Sequence, residues 1–186
     1  MTPIVTALIG LFVLGGAPQA GWAANNNAAV TASLPSYQVG LTGYNAVPGQ
    51  TDDDPFTTAS GAYSNPQVVA ARSVDLADEL PFGTVIEITG SNGTMPNCGY
   101  DQIGEQIGLR VIADSMNPRI HNRVDILFGN NDIVKVGNIQ RNAAGALGMC
   151  KGTTVQVVGH IDINHIPKTQ AELQNMMNTG AFASAN

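Results

Sequence analysis

Charge is scarce in this chain. Charged residues make up 12% of it, and 8 Lys and Arg stand against 14 Asp and Glu, a formal charge of −6. Nucleic-acid binding needs a basic stripe to neutralise phosphates, so the composition argues against that class and against charge-driven binding of any anionic polymer. Cysteine is nearly absent. Cys98 and Cys150 belong to no CxxC motif; two thiols are too few for a thiolate metal site, and in an exported chain they read as one disulfide. Two free thiols in a reducing compartment are the alternative. Long hydrophobic runs are missing too. The longest apolar stretch, residues 4–14, is too short to span a bilayer comfortably and leads through small residues to Gly21-Trp22-Ala23. That pattern predicts a signal peptide over residues 1–23 and a secreted or periplasmic protein. Its n-region holds no Lys or Arg, so either the true start lies upstream or the segment stays as an anchor. Also absent are a Gly-x-Ser-x-Gly elbow, a phosphate loop and a dinucleotide fingerprint, so no cofactor is expected.

What is present suits one globular domain. Residues 24–37 are rich in Asn, Ala and Ser and predict a disordered linker. Residues 38–166 carry short strand-like runs separated by turns, and residues 167–186 a helical tail. Strands are expected at residues 39–44, 68–72, 84–89, 109–113, 123–128 and 153–158. Residues 90–108, glycine-rich and holding Cys98, read as a long loop, and residues 142–147 as a short helix stopped by Gly148. The tail opens on Thr169-Gln170-Ala171-Glu172, a capping box. Leu173, Met176 and Met177 follow at helical spacing, which gives either a surface helix packed on the domain or a helix for a partner.

The stretch from Arg110 to Phe128, RVIADSMNPRIHNRVDILF, is the most informative. Two strand-like runs each deliver one aspartate, Asp114 and Asp125, on either side of a polar loop broken by Asn117-Pro118-Arg119. A turn-back at Pro118 would bring both carboxylates to one site as a candidate acid/base pair. The plainer reading is an Asx turn for Asp114 and an ion pair of Asp125 with Arg123 or Arg119. His160, Asp162 and His165 are residue types that metal sites use, but the alternating Ile161 and Ile163 read as a strand end with polar residues facing water, and no metal is expected. His121 reads as an exposed turn residue. Asp52 to Asp54, in PGQTDDDP, read as a solvated loop.

These pieces resemble the 3D domain family, named for its three aspartates, which belongs to the double-psi β-barrels that include secreted lytic transglycosylases. The matching elements run in order over residues 39–159: Tyr44, the Thr58-Ala59-Ser60-Gly61 turn, Ala71 to Asp75, Leu80-Pro81-Phe82-Gly83-Thr84, and the Asp114 and Asp125 segments. The resemblance implies a mainly β, six-stranded double-psi β-barrel with long loops, a short helix and a C-terminal helix. It departs after Asp114, where Ser115-Met116-Asn117 stands in place of the glycines many relatives have. It departs again at Asp75, whose segment carries extra residues, so Asp75 is not carried over as a functional residue.

The resemblance also implies an activity, cleavage of peptidoglycan or a related wall glycan by a monomer. Asp125 would be the general acid/base, Asp114 its partner, and Tyr44, Thr58, Asn117 and Arg123 substrate contacts. Protonating a glycosidic oxygen requires a carboxylic acid with a raised pKa, and Val124, Ile126 and Leu127 give Asp125 an apolar setting for it. In related barrel endoglucanases a base lies just after the early tyrosine. Here Asn45-Ala46-Val47 follow Tyr44, which favours the lytic route, closing a 1,6-anhydro ring, over hydrolysis. Asp52 to Asp54 would have to reach in from their loop to supply a second carboxylate. The alternative is a non-catalytic, expansin-like module, with the aspartates as hydrogen-bond acceptors.

Overall fold

The computed structural model describes residues 33–49, 54–91 and 96–180. The expected signal peptide, most of the expected linker, and Asp52 and Asp53 lie outside the described residues. Six strands, β1 (Ser36–Asn45), β2 (Val69–Arg72), β3 (Thr84–Ser91), β4 (Arg110–Ser115), β5 (Arg123–Phe128) and β8 (Cys150–His160), form a barrel. They close in the order β1, β5, β2, β4, β3, β8. β1 runs parallel to β5 and β2 parallel to β4, while the other neighbours are antiparallel. The chain thus has the mainly β, six-stranded architecture expected, consistent with a double-psi barrel. β1 starts at Ser36, inside the stretch expected as linker.

β2, β4 and the end of β5 read as near-continuous apolar runs because both of their faces are covered. Residues of all six strands, among them Leu41, Ala70, Ile86, Ile112, Ile126 and Val155, form one buried cluster that fills the lumen. A second cluster lies on the outer surface, where Val69, Val85, Val111, Ala113 and Leu127 are buried against Leu173, with Met176 and Met177 packed alongside. Each fully buried aliphatic side chain in these layers contributes about 1.5–3 kcal/mol. The tail therefore docks on the barrel as α3 (Gln170–Thr179). Its capping box forms: the Thr169 hydroxyl accepts from the Glu172 N–H, and the Glu172 carboxylate accepts from the Thr169 N–H, both at 3.2 Å.

Two elements depart from the sequence reading. Residues 90–108 are not all loop, because α1 (Tyr100–Ile107) forms within them. Tyr100, Ile103 and Ile107 recur at helical spacing, and the two isoleucines bury on the lumen cluster while the Tyr100 hydroxyl donates to the Ile88 carbonyl at 2.9 Å. Glycine content masked that short period. The second is a hairpin of β6 (Ile133–Val136) and β7 (Ile139–Asn142), turned at Gly137-Asn138 with Gly137 at φ 61°. It leads into α2 (Ala143–Leu147), capped by the Asn142 side chain and ended at Gly148. Cys98 and Cys150 are disulfide-bonded with Cα atoms 4.6 Å apart, joining the segment before α1 to the start of β8 across 52 positions.

The Pro81-Phe82-Gly83-Thr84 piece is a structural clamp. Gly83 has φ 94°, a conformation costly for any side chain. Its N–H donates to the Ile112 carbonyl at 2.8 Å, and its carbonyl accepts from the Ile161 N–H at 2.9 Å. The Thr84 hydroxyl closes the turn onto the Pro81 carbonyl at 2.7 Å. The end of β8 is thereby tied to β4.

Candidate functional site

The route by which the two aspartates meet differs from the expected turn-back. β4 and β5 are not neighbours, since β2 lies between them. Ala71 of β2 is in register with Asp114 on one side and with Asp125 on the other. Two strand spacings put the aspartate backbones roughly 10 Å apart, with only the small Ala71 side chain between. Thr42 of β1 stands in register with Asp125 and extends the row.

Asp114 reaches this row through a backbone irregularity. Along β4, Ile112 belongs to the lumen cluster while Val111 and Ala113 belong to the outer one. Strict alternation would send Asp114 inward with Ile112. Instead the register between β2 and β4 shifts after Ala70, which pairs with Ile112, so that Ala71 pairs with Asp114. The extra residue is a β-bulge, and it re-aims Asp114 to the outer face.

There both aspartates line one open cleft of about 510 Å³, with Tyr44, Thr57, Ala59, Ser64, Ala71, Ser115, Met116, Asn117, Pro118 and Ile120. Asp114 is held by three donors. The Tyr44 hydroxyl donates to Oδ2 at 2.9 Å, and the Ala59 and Ser115 N–H groups donate to Oδ1 at 2.8 and 2.9 Å. Burial, and then the Asp114 charge, push the Tyr44 hydroxyl far above its usual range, which keeps its proton available for that bond. Asp125 is placed otherwise. It is half-buried in the cleft wall, and its Oδ1 is fully buried with no hydrogen-bond partner among the described residues. Burial raises its pKa to about 6, against the lowering influence of a hydrogen bond from Thr42 and the charge of Arg123; the charge of Asp114 adds to the rise.

Of the residues expected at the site, Asp114, Asp125, Tyr44 and Asn117 come together. Thr58 does not: it is buried inside its own turn, its hydroxyl 3.0 Å from the Ser60 hydroxyl and donating to the Ala62 carbonyl at 3.1 Å, while its neighbours Thr57 and Ala59 face the cleft. Arg123 does not line the cleft either. It lies over Gly40, its Nε buried without a hydrogen-bond partner and its guanidinium 4.0 Å from Met149 Sδ. It acts on Asp125 through its charge alone. Asp75 is a strut, accepting at 2.9 Å from the N–H of Asn122, whose φ is 47°. This bond fixes the loop just before β5, and exposed His121 sits 3.8 Å from the same carboxylate.

His160, Asp162 and His165 form no joint site. Asp162 caps a short 3-10 turn, accepting from the Asn164 N–H and lying 2.8 Å from His165 Nδ1. Among the described residues no three His, Cys, Asp or Glu side chains converge as metal ligands. Asn45 turns away from the cleft and donates to the Phe128 and Gly129 carbonyls. Asp54 caps the N–H of Phe56 at 2.9 Å and does not line the cleft.

Sequence reasoning missed Arg110. Its guanidinium is buried, lies over the Phe128 ring at 5.7 Å, donates to the Ile107, Pro66 and Leu127 carbonyls, and acts on Tyr44 through its charge. Burial lowers its pKa to about 10, so it stays charged at neutral pH. Thr42 was missed as well, although its place in the alternating residues 39–44 puts it on the Tyr44 face. No protein-family model and no curated protein sequence matches this chain.

Proposed function

We propose that this protein is a secreted or periplasmic enzyme of the 3D type that cleaves peptidoglycan or a related wall glycan as a lytic transglycosylase. One observation carries the reading: Asp125, with a pKa near 6 and a buried, unpartnered oxygen, borders an open cleft that also holds a second, heavily hydrogen-bonded aspartate. A carboxyl group that keeps its proton up to about pH 6, well above the usual carboxylate range, is what a glycosidic leaving oxygen requires. Asp125 gives its proton to that oxygen as the C–O bond breaks, and the sugar ring takes up positive charge. The Asp125 carboxylate then removes the proton from the sugar's own C6 hydroxyl, whose oxygen closes the 1,6-anhydro ring. Asp114 stays in place as an acceptor, and its charge helps to keep Asp125 protonated beforehand. No other carboxylate lines the cleft among the described residues, which favours the intramolecular C6 nucleophile over activated water.

The test is Asp125→Asn on purified sacculi, followed by mass spectrometry of the soluble products. Turnover should fall by ~10²-fold or more, as expected for a lost general acid, and wild-type products should carry 1,6-anhydro ends. Reducing ends would point to hydrolysis. Glycan binding without products from either protein would favour the expansin-like module.

A further inference from the structure

A second cavity of about 560 Å³ opens on the other side of the turn that walls the cleft. Thr57, Ala59 and Ser64 face the cleft, whereas Ser60, Gly61, Ala62 and Tyr63 face this cavity, whose far wall is Ile163, Asn164, Ile166, Pro167 and Lys168. The turn between them is rigid. The Thr58 N–H donates to the Ala62 carbonyl and the Ser60 N–H to the Ala113 carbonyl, and the Ala59 N–H is bonded to Asp114 itself. Thr57, which lines the cleft, and Tyr63, which lines the cavity, pair in an isolated β-bridge at the crest between the two hollows, and Tyr63 is 66% exposed.

The two hollows differ in charge. The cleft is lined by two aspartates and no cation; the cavity is lined by Lys168 and no carboxylate. The carboxylates nearest in sequence serve backbone N–H groups, Asp162 that of Asn164 and Glu172 those of Lys168 and Thr169, and neither lines the cavity. Among the described residues the Lys168 ammonium has no ion-pair partner within 4 Å. In a chain with 14 acidic and 8 basic residues, a lone lysine in a hollow without carboxylates marks a place for a negative group.

We propose that this cavity is a second subsite for the same glycan chain and takes a sugar that carries a carboxylate. This rests on the reading of the cleft as a glycan site and names what the chain must bear beyond the cleaved bond. The Tyr63 ring offers a flat apolar surface to the C–H face of a pyranose as the chain crosses the crest. Lys168 pairs with the carboxylate, and Ile163, Ile166 and Pro167 wall the apolar side of the substituent. A neutral glucan would gain nothing from Lys168.

The experiment uses the full chain carrying Asp125→Asn, so that binding is measured without turnover, titrated calorimetrically with three probes. They are a wall-glycan tetrasaccharide with free lactyl carboxylates, the same saccharide with those groups amidated, and a disaccharide. Tyr63→Ala and Lys168→Met, each added to that parent, should weaken tetrasaccharide binding about tenfold and leave the disaccharide unaffected. The Lys168→Met loss should vanish with the amidated probe and shrink in salt, and Tyr63→Phe should bind like the parent. Identical tetrasaccharide affinity in parent and variants overturns the subsite and leaves the Asp125 reading standing. Equal weakening of disaccharide and tetrasaccharide by Tyr63→Ala places Tyr63 in the cleft and also overturns it. A parent that binds none of the probes overturns both readings.

Discussion

Two rows of residues on the outer face of the barrel, one step apart along the same strands, have opposite fates. In the first, Val69 of β2, Val111 of β4 and Leu127 of β5 lie fully buried with Leu173 of α3. In the second, two positions along β2 and β5, Ala71 and Asp125 stand with Asp114 at an open cleft. The barrel supplies the same backbone to both. The tail helix covers the first row, and over the second a bulge re-aims an aspartate while alanine keeps the middle low. The covered row stabilises by removing apolar area from water. The open row does the reverse, since it holds Asp125 where ionisation is costly. Its neighbours offset part of that cost: a hydrogen bond from Thr42 and the charge of Arg123 both favour the ionised form.

The largest expected effect falls on neither row. Replacing Cys98 and Cys150 by alanine opens a loop spanning 52 positions and should cost about 4 kcal/mol in the chain-entropy picture, read from urea denaturation. Turnover per folded molecule should be unchanged, because neither cysteine lines the cleft. Loss of activity without loss of stability would show that the open row senses the bridge. Next comes Leu173→Ala, which empties the centre of the covered row. It should cost about 2–5 kcal/mol and leave the cleft intact, measured as a lower denaturation midpoint with turnover retained at low temperature. A cost below 1 kcal/mol would mean that α3 does not seal the barrel.

Much of the covered row was legible in the sequence, and the open row only in outline. Val111-Ile112-Ala113 and Ile126-Leu127-Phe128 announce strands, and Leu173, Met176 and Met177 announce the face that covers them, because burial of both sheet faces leaves an apolar signal in the letters. The aspartates also stand out from that background. What was not legible is how they meet. The turn-back at Pro118 suggests neighbouring strands, whereas β2, far earlier in the chain, slips between them; strand order depends on closure of the whole barrel, not on the loop. The bulge at Ala113 is equally silent, since nothing in Ala113-Asp114 distinguishes a re-aimed residue from an inward one. Thr58 was misplaced for the same reason: in a four-residue turn, one step of register exchanges the residue that faces the cleft with the one that braces the turn.

Asp125→Asn sharpens the comparison through pH. The native pKa of Asp125, about 6, is raised above its ordinary value of 3.8. Between those two values the native state holds a proton that the unfolded chain has released, so stability from this group falls as pH rises across that window. Well above pH 6 the full penalty, about 3 kcal/mol, is present. Asn carries no such penalty. The variant should match the wild type near pH 4 and exceed it in stability by that amount at pH 7.5, even as it loses turnover. In the wild type kcat/KM should decline as pH rises through about 6. A variant no more stable at pH 7.5 than at pH 4, relative to wild type, would mean that Asp125 is not held protonated by its surroundings.

The smallest effect tests whether the open row acts as a unit. Tyr44→Phe keeps the ring, which packs beside the covered row, and removes only the hydroxyl that donates to Asp114 Oδ2. Asp114 retains the Ala59 and Ser115 N–H groups on Oδ1, so its place in the cleft survives while one oxygen loses a donor. The stability cost should be about 1 kcal/mol, a single hydrogen bond, read as a modest shift of the denaturation midpoint. The charge on Asp114 then has one fewer partner and bears more strongly on Asp125, so the fall of kcat/KM with rising pH should move to higher pH, with KM little changed. A rise in KM with an unmoved pH profile would assign the Tyr44 hydroxyl to substrate instead, and the two aspartates would then share a cleft without sharing a function.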